Sequence, residues 1–253
     1  MLIDTHCHIH DSEFYGPKRE AVYERAIKAG VEAMICVGTS HKSSVEAIDF
    51  AREHTAAYAA IGVHPHDTRH GWDEIAQLPN DVQLQKIVAV GEIGLDYFYD
   101  NSPRDVQVRA LESQLQLAHS LRLPVIFHVR EAFDDFWPIV DNFSGLQGVL
   151  HSFTDTIDNL EQALSRNFYI GVNGISTFTK DEKQQVMYDA VPVEQMLLET
   201  DAPFLAPVSR RGQTNQPAFI REIAEYHAVR RHKLPEEIIQ HATDNARRLF
   251  PLN

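Results

Sequence analysis

Two histidines one residue apart, His6 and His8, close the first apolar run of the chain. Side chains alternate between the two faces of a β-strand, so these imidazoles point the same way and can bind one cation together. Four more residues with metal-binding side chains follow, each at the end of a later apolar run: Glu92, His128, His151 and Asp201. Such groups at the ends of several strands indicate a metal centre of the kind that performs hydrolysis.

The candidate ligand set contains four imidazoles and two carboxylates. It suits Zn²⁺, Mn²⁺ or a similar ion better than Ca²⁺, whose ligands are oxygen atoms. Six ligands are too many for one tetrahedral ion that keeps an open catalytic position. Two divalent ions that share Glu92 as a bridge would use the whole set, and two metals ~3.5–4 Å apart can stabilise both the attacking and the leaving oxygen. The sequence does not distinguish among Zn, Mn, Mg, Ni and Co.

Arg130 follows His128 by two residues and therefore faces the same side of its strand. An arginine holds a phosphate through two parallel hydrogen bonds, so Arg130 is a candidate anchor for a substrate phosphate. The alternative is an ion pair with Glu131 or Asp134, which follow it closely in the chain.

Further polar residues lie near the predicted strand ends. His64 follows the third predicted strand on the rim that would meet substrate, while His66 and His10 have no decided role. Arg210 and Arg211 lie in the loop after the last predicted strand, where each either meets a nucleic-acid backbone or is simply solvated. The remaining histidines are expected to be ordinary surface or core residues: His41, His54, His70, His119, His227, His232 and His241.

Short apolar runs alternate with helical patterns from end to end, and no repeat or linker interrupts them. The runs predict strands at 1–5, 33–38, 57–63, 86–91, 124–128, 146–151, 167–172 and 195–200. Helical periodicity is clearest at Val108–Ala118, Ile220–His227 and Ile238–Leu249. Eight strands that alternate with helices predict a TIM-type (β/α)₈ barrel, with the candidate residues at the carboxyl ends of its strands. An open doubly wound sheet is the alternative, disfavoured because no Gly-rich phosphate loop follows the first strand.

Composition limits the class of protein. The chain has 253 residues, of which 43% are apolar, enough for one domain that spans 1–253. Its formal net charge of −13 argues against a protein that coats nucleic acid, but not against an enzyme that holds one phosphate through metals and a few arginines. Only two cysteines occur, no signal-peptide pattern opens the chain and no apolar run approaches membrane-spanning length. We therefore expect a cytoplasmic protein with no membrane association and no stable protein partner.

Several short motifs occur in a fixed order along the chain. They are Asp4-Thr-His-Cys-His8, Gly62-Val-His-Pro65, Gly91-Glu-Ile-Gly-Leu-Asp96, Pro124-Val-Ile-Phe-His-Val-Arg130, His151-Ser-Phe153, Glu199-Thr-Asp-Ala-Pro203 and Arg211-Gly…Asn215-Gln-Pro217. Together they resemble the TatD family of metal-dependent deoxyribonucleases within the amidohydrolase superfamily, over residues 2 to about 250. The chain departs from that pattern at His10, where the family usually has an acidic residue, and at Gln213, where a lysine is common.

The resemblance implies roles for the candidate residues. One metal would be bound by His6, His8, Glu92 and Asp201, and the other by Glu92, His128 and His151. Asp201 would also orient the attacking water, which makes Asp201 and Glu92 the catalytic pair, and His64 would contact substrate. The activity implied is hydrolysis of DNA phosphodiesters, often from a 3′ end, with single-stranded DNA or 3′ ends as substrate.

Two other functions remain open at this stage. The same ligands could serve a deacylase or esterase, for example one that acts on a misacylated tRNA, because the ligand set alone does not select the bond that is cleaved. A metal-dependent binding protein without catalytic activity is the third possibility. The complete ligand set disfavours it.

Overall fold

A computed structural model describes residues 1–81, 86–99 and 101–252, with the side chains of residues 80 and 81 excepted. Strands and helices alternate along the chain, as the apolar runs predict. The strands are β1 (Leu2–Cys7), β2 (Val31–Val37), β3 (Ala57–Ile61), β4 (Ile87–Asp96), β5 (Val125–Arg130), β6 (Gly148–Leu150), β7 (Tyr169–Val172) and β8 (Met196–Leu198). The helices are α1 (Arg19–Lys28), α2 (His41–Glu53), α3 (Leu78–Asp81), α4 (Arg104–Leu121), α5 (Phe133–Val140), α6 (Ile157–Ser165), α7 (Ile175–Phe178), α8 (Glu182–Ala190), α9 (Ile220–Arg230) and α10 (Pro235–Leu249).

The strands form one parallel sheet in sequential order, β1 to β8. The two edges then meet beyond the end of β8, where Cys7 and Ala202 form a parallel bridge and the His8 N–H donates to the Ala202 carbonyl over 2.7 Å. The Thr5 hydroxyl adds a 3.0 Å hydrogen bond to the carbonyl of Leu198. These contacts close the sheet, so the predicted TIM-type barrel is confirmed and the open doubly wound sheet is excluded.

Two apolar clusters stabilise the barrel. The smaller one brings together side chains from seven strands, among them Ile3, Ile35, Ile126 and Leu197, which only the inside of a closed barrel allows. It also contains Ala246 and Leu249 from the end of α10 and Phe250, which follows that helix, so the end of the last helix packs against the barrel interior. The larger cluster lies between the strands and the surrounding helices.

Local sequence signals explain where the longer helices begin. The Ser40 side chain accepts a 3.2 Å hydrogen bond from the N–H of Ser43 at the start of α2. Helix α10 begins with Pro235, and the Glu237 carboxylate accepts a 2.8 Å hydrogen bond from the Leu234 N–H. These caps satisfy backbone donors that a helix end would otherwise leave free.

Two irregularities in strand register decide which side chains reach the mouth of the barrel. The pairing of β1 with β2 shifts between Asp4 and Cys7, and that of β4 with β5 shifts between Val90 and Ile93. Ile3 belongs to the interior cluster, and His6, three residues later, faces the site. In a regular strand, residues three apart would point to opposite faces of the sheet. A one-residue shift in register between them exchanges the two faces, which explains the direction of the His6 side chain.

The predicted strand ends are wrong at two site residues. His6 and Glu92 are predicted just beyond their strands, but each lies inside one, and β4 continues to Asp96. The longer β4 is paired with β5 through Gly94 opposite His128, and Gly94 has a φ of +153°. A Cβ at Gly94 would lie 1.8 Å from the carbonyl oxygen of His128, so this close pairing requires glycine. In the described part of the chain, no helix is both long and apolar enough to span a membrane.

Candidate metal centre

Four of the predicted ligands, which lie on β1, on β4 and in the loops after β1 and β8, meet at one end of the barrel. The His6 and His8 Nε2 atoms are 3.2 Å apart. His6 Nε2 is 3.5 Å from Glu92 Oε2, and His8 Nε2 is 3.4 Å from Asp201 Oδ1. All four side chains are buried or nearly so. The two histidine nitrogens therefore lie together, as the His-x-His spacing predicts, and a carboxylate oxygen of Glu92 and one of Asp201 lie beside them.

Backbone contacts hold this group in place. The Asp201 N–H donates to the His6 carbonyl over 2.8 Å, which joins the loop after β8 to β1. His8 Nδ1 lies 2.8 Å from the Val37 carbonyl, which can only accept, so the proton of the neutral ring is on Nδ1. The lone pair of His8 Nε2 is consequently left to face the other ligands, the state that metal coordination needs.

Glu92 stands at the middle of the site, and its two oxygens face different histidines. Oε2 faces His6, whereas Oε1 is 3.0 Å from His128 Nδ1, 3.5 Å from His64 Nε2 and 3.9 Å from His151 Nε2. Burial alone would raise the pKa of Glu92, but the imidazoles, His64 first among them, hold it well below its usual range. Glu92 is therefore a charged carboxylate between two groups of nitrogen ligands.

His151 connects both groups. Its ring stacks on that of His6 with centroids 3.5 Å apart, and its Nε2 is 3.8 Å from Asp201 Oδ1. On its other side Nδ1 lies 2.9 Å from Glu199 Oε1, close enough for an ion pair although not aligned as a hydrogen bond. Burial would lower the pKa of His151, but the charge of Glu199 and of the site carboxylates raises it to about 10.

The sequence reasoning did not single out Asp96, which the structure places behind His128. Asp96 Oδ2 is 2.9 Å from Nε2 of both His128 and His66. Its Oδ1 accepts 3.0 Å hydrogen bonds from the N–H groups of Phe98 and Tyr99. Burial would raise the pKa of Asp96, but these donors hold it below its usual range, so a fully ionised carboxylate orients the His128 ring.

Asp96 carries a usable signal in the sequence. It lies four residues after Glu92, so alternation along β4 places it on the same face as a predicted ligand. Glu199 and His66 lie outside the strands, so alternation predicts nothing about the direction of their side chains.

The donor chemistry fits divalent metal ions. Nitrogen ligands with hydrogen-bonded or charged partners on their far side, together with carboxylates, suit Zn²⁺, Mn²⁺ and similar ions. His6, His8 and Glu92 form one group whose ligand atoms lie within 4.8 Å of one another. His128 stands between two carboxylates, so a cation at its Nδ1 would take the place of a proton while Nε2 keeps its partner Asp96.

The predicted substrate residues line a cavity of about 730 Å³ that opens above these ligands. His64 Nδ1 accepts a 3.1 Å hydrogen bond from the His66 N–H, so its neutral ring carries the proton on Nε2 and presents a donor to the cavity. Arg130 lies over the rings of Phe98 and Tyr99, at 3.9 and 4.9 Å. The alternative, an ion pair with Glu131 or Asp134, is not formed among the described residues.

The structure shows the contacts of the residues whose roles the sequence leaves undecided. His10 is buried, with Nε2 3.1 Å from the Ser43 hydroxyl, and His66 contacts Asp96. Arg210 forms a 2.7 Å ion pair with Glu222, whereas Arg211 lies 4.1 Å from the ring of Phe178.

Comparison with known proteins agrees with this geometry. The family model described as TatD related DNase matches residues 3–251. An uncharacterized metal-dependent hydrolase of Bacillus subtilis is 36% identical over 256 residues, which cover 100% of both chains. A 3′-5′ ssDNA/RNA exonuclease TatD of a Rahnella strain is 37% identical, with 96% of this chain and 95% of that protein covered. A crystal structure of a TatD homologue from Escherichia coli K12 superposes with a TM-score of 0.91 at 31% identity, over 100% of this chain and 98% of that one.

Proposed function

The chain belongs to the family of TatD-related DNases, and we propose that it is a divalent-metal-dependent nuclease that hydrolyses DNA phosphodiester bonds from 3′ ends. The observation that carries this proposal is the position of Glu92, whose two oxygens face different imidazole groups. A carboxylate in this position could be shared by two ions, and a pair of ions stabilises both the attacking and the leaving oxygen of an in-line displacement. The relatives named as 3′-5′ ssDNA/RNA exonucleases support a single-stranded substrate.

We assign one metal to His6, His8, Glu92 and Asp201, and the second to Glu92, His128 and His151. When bound, the ions supply positive charge opposite the phosphate and make hydroxide available near neutral pH. The remaining steps fall to the chain's own side chains, which bind the strand, orient it and move a proton.

Asp201 is the proton acceptor in this proposal. Burial would raise the pKa of Asp201, but contact with His8 and the neighbouring imidazoles lowers it, so the carboxylate is ionised and can orient the attacking water. Water adds to phosphorus and gives up a proton to Asp201, the ester P–O bond breaks, and the departing deoxyribose oxygen takes up a proton from solvent, so the products are a phosphate monoester and an alcohol. His64 donates from Nε2 to a phosphate oxygen, and Arg130 holds a phosphate next to the cleaved bond.

The test compares two substrates on the metal-loaded protein. We expect shortening of single-stranded DNA labelled at its 5′ end and no release of amino acid from aminoacyl-tRNA. Glu92→Gln protein, prepared in parallel, controls for a contaminating nuclease and is expected to leave the DNA intact. Deacylation of the tRNA without cleavage of DNA would replace the nuclease with a deacylase on the same ligands.

A further inference from the structure

We propose that two groups of exposed aromatic side chains bind the nucleobases of a single strand on both sides of the cleaved bond, and so determine the preference for unpaired substrate. This inference rests on the proposed nuclease function. It concerns how the strand is recognised rather than how its bond is broken.

The exposed aromatic side chains are concentrated at the mouth of the barrel. Among the described residues four are exposed: Phe14 (50%), Phe98 (49%), Tyr99 (45%) and Phe204 (45%). Phe14, Tyr99 and Phe204 line the cavity above the metal ligands, and Phe98 is the neighbour of Tyr99. Large apolar side chains that stay exposed together, beside a polar site, mark a binding surface.

Phe14 and Phe204 form the first group, which we call the β1/β8 platform. Phe14 lies in the loop after β1 and Phe204 in the loop after β8. Their rings meet edge to face with centroids 5.1 Å apart, and Phe204 lies 6.2 Å from the ring of His8. A base stacked on Phe204 would therefore lie next to His8, one of the ligands of the first metal.

Phe98 and Tyr99, with Arg130 above them, form the second group, the β4/β5 platform. The rings are 4.8 Å apart, and Tyr99 also packs edge to face on His66 at 5.2 Å. Because Asp96 Oδ1 accepts from both backbone N–H groups, this platform is fixed to the carboxylate that orients His128. Arg130, stacked on the platform, can bind a phosphate while a base lies on the exposed ring beside it.

The topology places the two platforms on opposite sides of the mouth. Strands β1 and β8 are neighbours where the barrel closes, and β4 and β5 are neighbours half a turn away in the sequential order. The ligands that surround Glu92 lie between them. A single strand of DNA that crosses the mouth from one platform to the other brings one phosphodiester over those ligands.

Charge explains why stacking must supply much of the affinity. With a formal net charge of −13, the protein as a whole repels a polyanion. Stacking of bases on aromatic side chains tolerates any sequence, since every base has a π-face. In a duplex the bases are already stacked and paired, so only an unpaired strand can offer them.

The experiment compares two strands of equal length on metal-loaded protein: an ordinary oligodeoxynucleotide, and one whose bases are replaced by tetrahydrofuran spacers. Phe204→Ala and Tyr99→Ala are expected to raise KM for the ordinary strand about tenfold, the ~1.4 kcal/mol typical of one stacked base. The kcat/KM for the spacer strand should stay unchanged, and Phe204→Trp should retain wild-type KM.

Val229→Ala is the matched control, an exposed apolar residue on α9 that does not line the cavity, with no change expected on either strand. Metal content and thermal unfolding establish that each variant is folded and loaded. Equal loss on both strands, or no loss on either, would overturn the platforms while leaving the nuclease intact. If wild-type protein cleaves neither strand, it is the proposed function that fails.

Discussion

Replacement of Glu92 by glutamine tests the centre of the proposed mechanism. The change keeps the volume and shape of a buried side chain but removes its charge. Four imidazole nitrogens lie 3.0 to 3.9 Å from the carboxylate oxygens, on His6, His64, His128 and His151. Any cation bound among these nitrogens is therefore close to the Glu92 charge, whichever group holds it.

The size of the effect follows from this proximity. Two unit charges ~4 Å apart interact by ~4 kcal/mol at an effective dielectric constant of ~20. Each ion is divalent, so loss of the carboxylate charge weakens binding by at least about a thousandfold for each ion and lowers kcat/KM by at least as much. His6→Ala removes a neutral ligand that faces mainly one group, so it should release chiefly one ion.

The assay measures bound metal by mass spectrometry at a fixed free metal concentration, together with the cleavage rate of end-labelled single-stranded DNA. Circular dichroism of the metal-free proteins should show the same fold for Glu92→Gln and wild type, since the substitution opens no cavity. Two bound metals and a wild-type rate in Glu92→Gln protein would refute the bridge. So would retention of both ions in Glu92→Gln combined with loss of both in His6→Ala.

Four further predictions concern other parts of the molecule. A chelator should abolish hydrolysis but leave the circular dichroism spectrum of the barrel unchanged, because the two apolar clusters stabilise the fold without metal; wholesale unfolding would contradict this. Arg130→Lys should raise KM for DNA without loss of metal, since lysine cannot make the two parallel hydrogen bonds of a guanidinium; lower metal content would instead assign Arg130 to the support of the ligands. Gly94→Ala should destabilise the protein by about 1–3 kcal/mol in urea unfolding, because the new Cβ would meet the His128 carbonyl at 1.8 Å; wild-type stability would mean that β4 and β5 separate freely. His227 is buried on α9, where burial, with Arg231 second, lowers its pKa from 6.5 to about 3. Between pH 6.5 and about 3, His227 is therefore protonated in the unfolded chain but neutral in the folded chain. The free energy of unfolding should then fall by up to ~1.4 kcal/mol per pH unit as the pH drops from 6.5 to about 3. Metal-free His227→Gln protein should not show this decline, whereas metal-free wild type should; parallel pH curves for the two proteins would disprove it.

Much of the architecture can be predicted from the sequence, because it depends on local patterns of residues. Apolar runs such as 87–90 and 125–127 are typical of strands buried on both faces, and the helical repeats of 220–227 and 238–249 indicate amphipathic helices. Each of the eight predicted strand regions overlaps an observed strand. Their alternation with helices implies parallel pairing, and eight parallel strands close into a barrel.

The sequence predicts the lengths of the strands less well than their positions. Strand β4 runs on to Asp96 because it is paired with β5 past the ligands, and the glycine at position 94 permits the close approach. The sequence shows Gly94 but not the neighbour that makes it necessary. Likewise the shift in β1 register, which turns His6 toward the site, depends on the strand beside it.

The candidate ligands illustrate the same division. Residue type and position at the ends of the apolar runs by themselves indicated which side chains could bind metal: His6, His8, Glu92, His128, His151 and Asp201. Only the tertiary structure decided that Glu92 lies between two imidazole groups, that Asp96 and Glu199 stand behind His128 and His151, and that Arg130 rests on aromatic rings instead of a carboxylate. The physical reason is that alternation along a strand is a property of the backbone, whereas the partner of a side chain depends on which residues of distant strands the closed barrel brings within a few ångströms of it.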